Sequence, residues 1–288
     1  MKWYWILGWL PSTFAICGNA LVIYLICTRR KLKTRPNYFI LSLALADLGV
    51  GACCFPSQVI CSFLHSTCLH SVAEDIAVLM IYSSTTNLCM MTFDRYSAIV
   101  KPLAYTTLIT KKSTSYLIAL SWLLPLLAYF VPSLCTSLSG CNINRKVTVV
   151  IWTSMFEFVP CAVLLLFTVK IITTARKHYQ QLASLDSQLR FNEPNRKGQG
   201  IPKLATARVI LTVVAIFLIC YSLEVCSSVC YFTKLCQLTD DLRNLVFFLV
   251  ITNSAANPVA YALLKRDIQR ELRNIFYKTK SSAETTFV

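Results

Sequence analysis

The stretch MTFDRYSAIVKPLAY, Met91–Tyr105, closes a long apolar run with an acid and a base side by side, Asp94 and Arg95. Either charge alone is costly to hold in a low-dielectric setting, so an adjacent pair marks the edge of one. The run in front of the pair, Ser71–Val100, is long enough to cross about 30 Å of hydrocarbon as a helix. The pair therefore stands where a membrane segment ends.

Six more runs of this kind lie along the chain, at Trp3–Ile26, Tyr38–Cys61, Ser115–Val131, Val147–Ile171, Leu204–Tyr231 and Leu242–Leu264. Barrel strands span with nearer ten residues, so runs of this length predict helices. Of the 288 residues 56% are hydrophobic and 14% are charged, against about 25% charged in soluble domains. The reading is an all-α membrane protein, a seven-transmembrane helix bundle. The first run resembles a signal peptide in having Lys2 ahead of an apolar core. It carries Asn19 late and leads directly into RRKLK, which favours a retained helix.

Charge orients the bundle. Of 28 basic residues, Lys2, Arg145, Lys146, Lys234 and Arg243 fall on the N-terminal side of the membrane and the remaining 23 on the other. The positive-inside rule then predicts an extracellular N-terminus and a cytoplasmic C-terminus. The net charge of +15 faces acidic inner-leaflet lipids, not nucleic acid. Residues 174–203, with Pro194, Gly198, Gly200 and Pro202, read as a long polar loop. In KRDIQRELRNIF, Ile268, Leu272 and Phe276 recur at helical spacing between basic residues, which predicts a short amphipathic membrane-surface helix after helix seven. Residues 1–276 thus form the membrane domain and 277–288 a short disordered tail. His65, His70 and His178 sit at helix ends or in loops and do not cluster with acids as a metal set, so no enzyme is expected.

Inside the apolar runs lie Asn19, Asp47, Ser84, Asn253, Ser254 and Asn257. A carboxylate in hydrocarbon must be solvated, paired or protonated, so Asp47 faces the bundle interior. The residues alone fit a functional and a purely structural role equally.

In order along the seven runs stand GNALV at Gly18–Val22, LSLALAD ending at Asp47, Asp94-Arg95-Tyr96 followed by Pro102-Leu103, Trp122, Pro160, Phe217-x-x-Cys220-Tyr221 and Asn257-Pro258-Val259-Ala260-Tyr261. With these motifs the chain resembles the rhodopsin-like (class A) G-protein-coupled receptors over essentially its whole length. The resemblance implies a plasma-membrane receptor that passes an extracellular signal, from a small organic molecule, to a heterotrimeric G protein. It implies that Asp94 restrains Arg95 at rest, with Tyr96, Pro102, Leu103 and Tyr261 in the coupling machinery. It also implies a sodium and water cluster of Asp47, Ser84, Asn253 and Asn257, sodium being the one cofactor expected.

Four positions depart from the family pattern: Tyr221 replaces a tryptophan, Leu223 the helix-six proline, Thr168 a cytoplasmic tyrosine and Lys203 a cytoplasmic acid. The first two change the switch region. The loss of the acid weakens the resting lock, and the loss of the tyrosine weakens the active state. They motivate a second reading, a receptor-like protein that traffics or heterodimerises with little coupling. The aspartate with which related amine receptors pair a ligand amine falls at Ala77, so an aminergic ligand is not expected by that route. Cavity positions match Glu74, Ala77, Val78, Ile81, Trp152, Phe156, Tyr221, Glu224, Phe247 and Ile251, with Asp75 and Glu157 as further acids nearby. The set suits a small organic ligand, with a peptide or lipid open. By the same resemblance Cys68 pairs with Cys141, Cys135 being the competitor, and Cys230 and Cys236 bracket the last outer loop as a second bridge. The final residues Thr285-Thr286-Phe287-Val288 resemble a ligand for a PDZ scaffold.

Overall fold

All seven apolar runs are helices. The computed structural model describes residues 3–64, 67–139, 145–192, 202–234, 236 and 239–275. Spanning helices α1 to α4 are Trp9–Thr28, Arg35–Leu64, Thr67–Val100 and Lys111–Ser139. Helix α5 joins Arg145–Thr153, a π-helical turn at Ser154–Phe158 and Val159–Asn192. Helices α6 and α7 are Pro202–Thr233 and Asp240–Leu264, and α8 covers 266–275. Seven of these are long and apolar enough to cross a membrane.

Three boundaries differ from the sequence reading. The first run is broken into Trp3–Leu7 and α1. Pro11 cannot donate to the carbonyl of Leu7, and proline costs least in a helix's first turn, where its missing N–H would be unpaired anyway, so α1 begins just before it. The expected loop at 174–203 is largely helix, since α5 continues to Asn192 and α6 starts at Pro202. Its two glycines and first proline lie after 192, so the segment before them has no breaker and continues the helix already nucleated in the membrane. Residues 193–201 of that connector lie outside the described residues, as do Phe276 and the tail 277–288. In the second connector Pro102 opens a further short helix, Pro102–Leu108, with the fixed φ that suits a first helical position.

Helix α1 packs closely on α2 and α7 through glycines. A Cβ on Gly51 would stand 2.8 Å from Ala15 Cβ, and one on Gly18 2.9 Å from Pro258 Cβ. Such small residues let helix backbones approach in lipid, where packing replaces the hydrophobic effect as the driving force. Gly51→Leu should cost about 1–3 kcal/mol through overpacking. The expected result is a lower thermal midpoint for the purified protein, with Gly51→Ala affected less.

Two apolar clusters fill the bundle. The inner one joins Leu43, Leu88, Val213, Phe217 and Tyr261 with Ile268 of α8. The outer one joins Tyr4, Val50, Cys54, Phe55, Ala77 and Ile251. Ile81 packs against both. Helix α8 is amphipathic as expected, but its apolar stripe lies on the bundle: Ile268 is 1% exposed and Leu272 and Ile275 pack on the inner cluster. Arg266, Arg270 and Arg273 face outward.

A polar elbow fastens α8. Lys265 Nζ donates to Asn37 Oδ1 and to Asp267, while Arg29 pairs with Glu271 at 3.6 Å. Burial pulls the Lys265 ammonium below its usual range, partly offset by Asp267. Burial pushes Asp267 up, but Lys265, Asn37 and the Ile268 N–H outweigh it and hold this carboxyl below its usual range. The stability that Asp267 contributes is therefore fully present above the ordinary carboxylate pKa and is lost as pH falls through the lowered one.

Candidate functional site

At the C-terminal end of α3, Asp94 is fully buried and Arg95 is 9% exposed. Arg95 Nη2 donates to Asp94 Oδ2, and the second carboxylate oxygen accepts from Tyr105 Oη at 3.0 Å. Tyr105 comes from the Pro102–Leu108 helix, so the connector after α3 is tied to the ion pair that precedes it. Tyr96 turns the other way and stacks on Phe167 of α5, with centroids 4.8 Å apart. Leu103 projects from the connector, 91% exposed. A buried pair strands a charge when one partner is removed, so the geometry holds Arg95 as long as Asp94 is ionised.

Halfway across the bundle Asp47 of α2 is fully buried. Its carboxylate accepts from Ser84 Oγ of α3 at 2.6 Å, and from Ser254 Oγ and Asn257 Nδ2 of α7 at 2.8 and 2.7 Å. Three donors from two helices thus converge on one acceptor. Asn253 does not reach the carboxylate; Ser254 takes the place expected for it. The buried Oδ1 atoms of Asn253 and Asn257 have no hydrogen-bond partner. A carboxylate with no basic residue beside it among the described residues and two unpaired carbonyl oxygens form an acceptor-rich set, which fits a hard monovalent cation. Above the cluster Tyr221 is buried, stacks on Phe217 with centroids 4.1 Å apart, and places its hydroxyl 3.4 Å from Thr85 Oγ1.

The candidate ligand residues divide by place. Ala77 and Ile251 lie in the outer apolar cluster, with Phe247 packed on it. Val78 and Trp152 belong to a cleft between α3, α4 and α5 with Tyr82, Pro125 and Tyr129, where Trp152 Nε1 donates to Ala128 O at 3.1 Å. Phe156 stacks on Tyr82, with centroids 4.4 Å apart and planes 9° from parallel. Glu157 is buried and accepts from Ser228 Oγ of α6 at 2.7 Å; Glu224, one turn earlier on α6, is half-buried. Glu74 is exposed at the outer end of α3, and Asp75 accepts from Tyr129 Oη of α4.

The profile of seven-transmembrane receptors of the rhodopsin family matches residues 18–261. The chain belongs to that family. With its seven spans, this receptor is a multi-pass protein of the plasma membrane and not an enzyme. It is 26% identical to the octopamine receptor beta-2R of Drosophila melanogaster, an alignment covering 90% of this chain and 58% of that protein. It is also 26% identical to the octopamine receptor beta-2R of Chilo suppressalis, over 95% of this chain and 78% of that one. It is 29% identical to trace amine-associated receptor 8c of Mus musculus, over 69% of this chain and 61% of that protein. The chain thus spans about three fifths of the Drosophila and mouse relatives' length.

Two of the receptor's departures leave a visible mark. Thr168 Oγ1 and Tyr261 Oη are both buried without a hydrogen-bond partner. Leu223 stands in the helix-six proline's place, and α6 runs unbroken from Pro202 to Thr233. The side chain of Lys203 lies outside the described residues. Cys230 and Cys236 form the expected bridge at the last outer loop, whereas Cys141 and the side chains of Cys68 and Cys135 lie outside the described residues.

Sequence reading missed some partners. Ser42 Oγ and Ser121 Oγ both donate to Asn87 Oδ1, at 2.6 and 2.9 Å, and Trp122 Nε1 donates to Ser42 Oγ. This knot joins α2, α3 and α4. Small hydroxyls are common in membrane helices, and only their convergence on Asn87 sets these apart. Tyr105 and Ser228 escaped for the same reason, since each meets its acid across a helix boundary.

Proposed function

We propose that this receptor binds a small organic ligand from the extracellular side and passes the signal to a heterotrimeric G protein through Arg95. The observation that carries the reading is the Asp94–Arg95 pair, buried and held by Tyr105 at the cytoplasmic end of α3. Release of Arg95 would free a cation at that face, and the exposed Leu103 offers an apolar knob beside it. The test is basal and ligand-evoked cyclic AMP and calcium in transfected cells. A protein that reaches the surface and yet changes neither, across G-protein classes, is instead the receptor-like protein that traffics or heterodimerises. The unpartnered Thr168 and Tyr261 hydroxyls favour inefficient coupling. Thr168→Tyr should then raise the maximal response severalfold, about 1 kcal/mol in favour of the active state. An unchanged maximum would remove that explanation.

The ligand class in this reading is a small amine. Likeness to octopamine and trace amine-associated receptors supports it, and the acidic and aromatic lining of the outer half is compatible with it. Competition by peptides or lipids, and not by amines, would redirect it.

Sodium fits the same reading as a brake. When bound it supplies positive charge to Asp47, and Ser84, Ser254, Asn253 and Asn257 offer the remaining oxygens. The charge pattern supports an extracellular N-terminus, a cytoplasmic C-terminus and contact of the exposed arginines of α8 with acidic inner-leaflet lipids. Staining of a C-terminal tag on intact cells would overturn that orientation. The tail sequence Thr285–Val288 supports a PDZ scaffold as a cytoplasmic partner, and the Cys68–Cys141 bridge, with Cys135 as competitor, is testable by mass spectrometry of non-reduced peptides.

A further inference from the structure

We propose that the ligand's ammonium group is anchored on Glu157 of α5, with Glu224 of α6 as its second carboxylate, and not on α3. The inference rests on the amine reading above and goes beyond it by naming the residues that choose the ligand. Three observations converge on it.

First, α3 offers no acid at that depth. Position 77 is an alanine, 5% exposed and packed with Val50, Cys54, Phe55 and Ile251. A cation placed there would meet an apolar wall with nothing to replace its lost hydration. The acids farther out on α3 are engaged or peripheral: Asp75 holds Tyr129, and Glu74 is exposed.

Second, Glu157 is 8% exposed and has no basic partner among the described residues. The π-helical turn Ser154–Phe158 carries it. In that turn the Val159 N–H reaches back five residues to Ser154 O, and Pro160 behind it has no N–H to give to Phe156 O. The wider turn buries both Phe156 and Glu157. Ser228 donates to Oε2, which fixes the carboxylate and leaves Oε1 without a hydrogen-bond partner among the described residues. Glu224 stands one turn before Ser228 on α6, and so on the face of that helix that meets Glu157. Two carboxylates on adjoining helix faces in a low-dielectric setting repel, and a cation held between them would relieve both.

Third, aromatic rings stand beside the acids. Tyr82 of α3 stacks on Phe156, the neighbour of Glu157 in the π-helical turn. Tyr221 precedes Glu224 by one turn of α6. An ammonium between carboxylates and ring faces gains charge-assisted hydrogen bonds and cation–π attraction together. An arylalkylamine would thus enter with its charge toward α5 and α6, and the ring of Tyr221 lies beneath for its aromatic end.

The test uses the full chain in lipid nanodiscs and reads thermal stabilisation across ligand concentration. The probes are octopamine and a series of simple arylalkylamines, each paired with the neutral analogue in which a hydroxyl replaces the ammonium. For the wild type, amines should stabilise and their neutral analogues should not. Glu157→Gln keeps the shape and the acceptor for Ser228 and should weaken amines roughly 10- to 100-fold, as loss of a hydrogen bond to a charged group does. Glu224→Gln should weaken them less. Ser228→Ala, which keeps the charge and removes only its support, should weaken them roughly threefold to tenfold, and Glu157→Asp should retain part of the binding if Glu157→Gln folds poorly. Amines that stabilise wild type and Glu157→Gln alike would overturn the anchor and leave the amine reading standing. Stabilisation by neutral compounds alone, or by none of the probes, would overturn both, while the cell signalling assay decides G-protein coupling separately.

Discussion

Arg95→Ala should abolish G-protein activation, with a loss of at least roughly 100-fold in the ligand-evoked response, about 2.7 kcal/mol or more. Surface expression should persist. The guanidinium is the cation held at the C-terminal end of α3, and its removal leaves no other basic group in contact with Asp94 among the described residues. The cost of that change falls on Asp94, buried at 0% exposure with only Tyr105 left as donor. Protonation of the stranded carboxyl limits the cost, so the fold survives while the signal does not. Asp94→Asn acts in the opposite direction. It keeps a hydrogen-bonding oxygen for Tyr105 and removes the charge that restrains Arg95. Basal cyclic AMP or calcium should rise roughly twofold to tenfold, the range that about 0.5–1.5 kcal/mol gives in a two-state equilibrium. Normal agonist responses in surface-expressed Arg95→Ala would remove Arg95 from the coupling role.

The other large effect is expected at Asp47. Asp47→Ala leaves Ser84, Ser254 and Asn257 without their shared acceptor in the middle of the bundle. Three stranded donors should cost about 3 kcal/mol or more, which corresponds to a fall of roughly 6–12 °C in thermal midpoint for a protein of this size. Asp47→Asn keeps an oxygen for two of the donors and should lose far less stability. It removes the charge, so the response of ligand binding or basal signalling to sodium should disappear. Scanning fluorimetry of the purified variants, with potassium replacing sodium at constant ionic strength, separates the two effects. A sodium response that persists in Asp47→Asn would make the cluster a purely structural one.

These residues show what could be read without coordinates. The seven spans follow from apolar run length, because a chain in hydrocarbon must satisfy its backbone hydrogen bonds locally. The special standing of Asp47 and of Asp94–Arg95 follows from the cost of charge in the same medium. The bridge from Cys230 to Cys236 joins residues close along the chain, where proximity needs no tertiary information. The extension of α5 to Asn192 was misread because polarity suggests a loop, although polarity without a breaker does not end a helix that has left the membrane.

The rest depended on which side chains different helices bring together. Ser254, not Asn253, reaches Asp47, because neighbours on α7 point about 100° apart and only the helix's rotation decides which faces α2. Tyr105 meets Asp94 because Pro102 starts a helical turn that folds back beneath α3. Trp152 and Phe156 stand one turn apart on α5 and both border Tyr82, yet Trp152 bonds to α4 at Ala128 while Phe156 stacks on Tyr82 of α3; the π-helical turn shifts the register between them. Ser228 meets Glu157 across two helices 71 residues apart in sequence. Run length, charge and breakers act along the chain and are legible in it; helix rotation and a shift of register act across it, and only tertiary packing settles them.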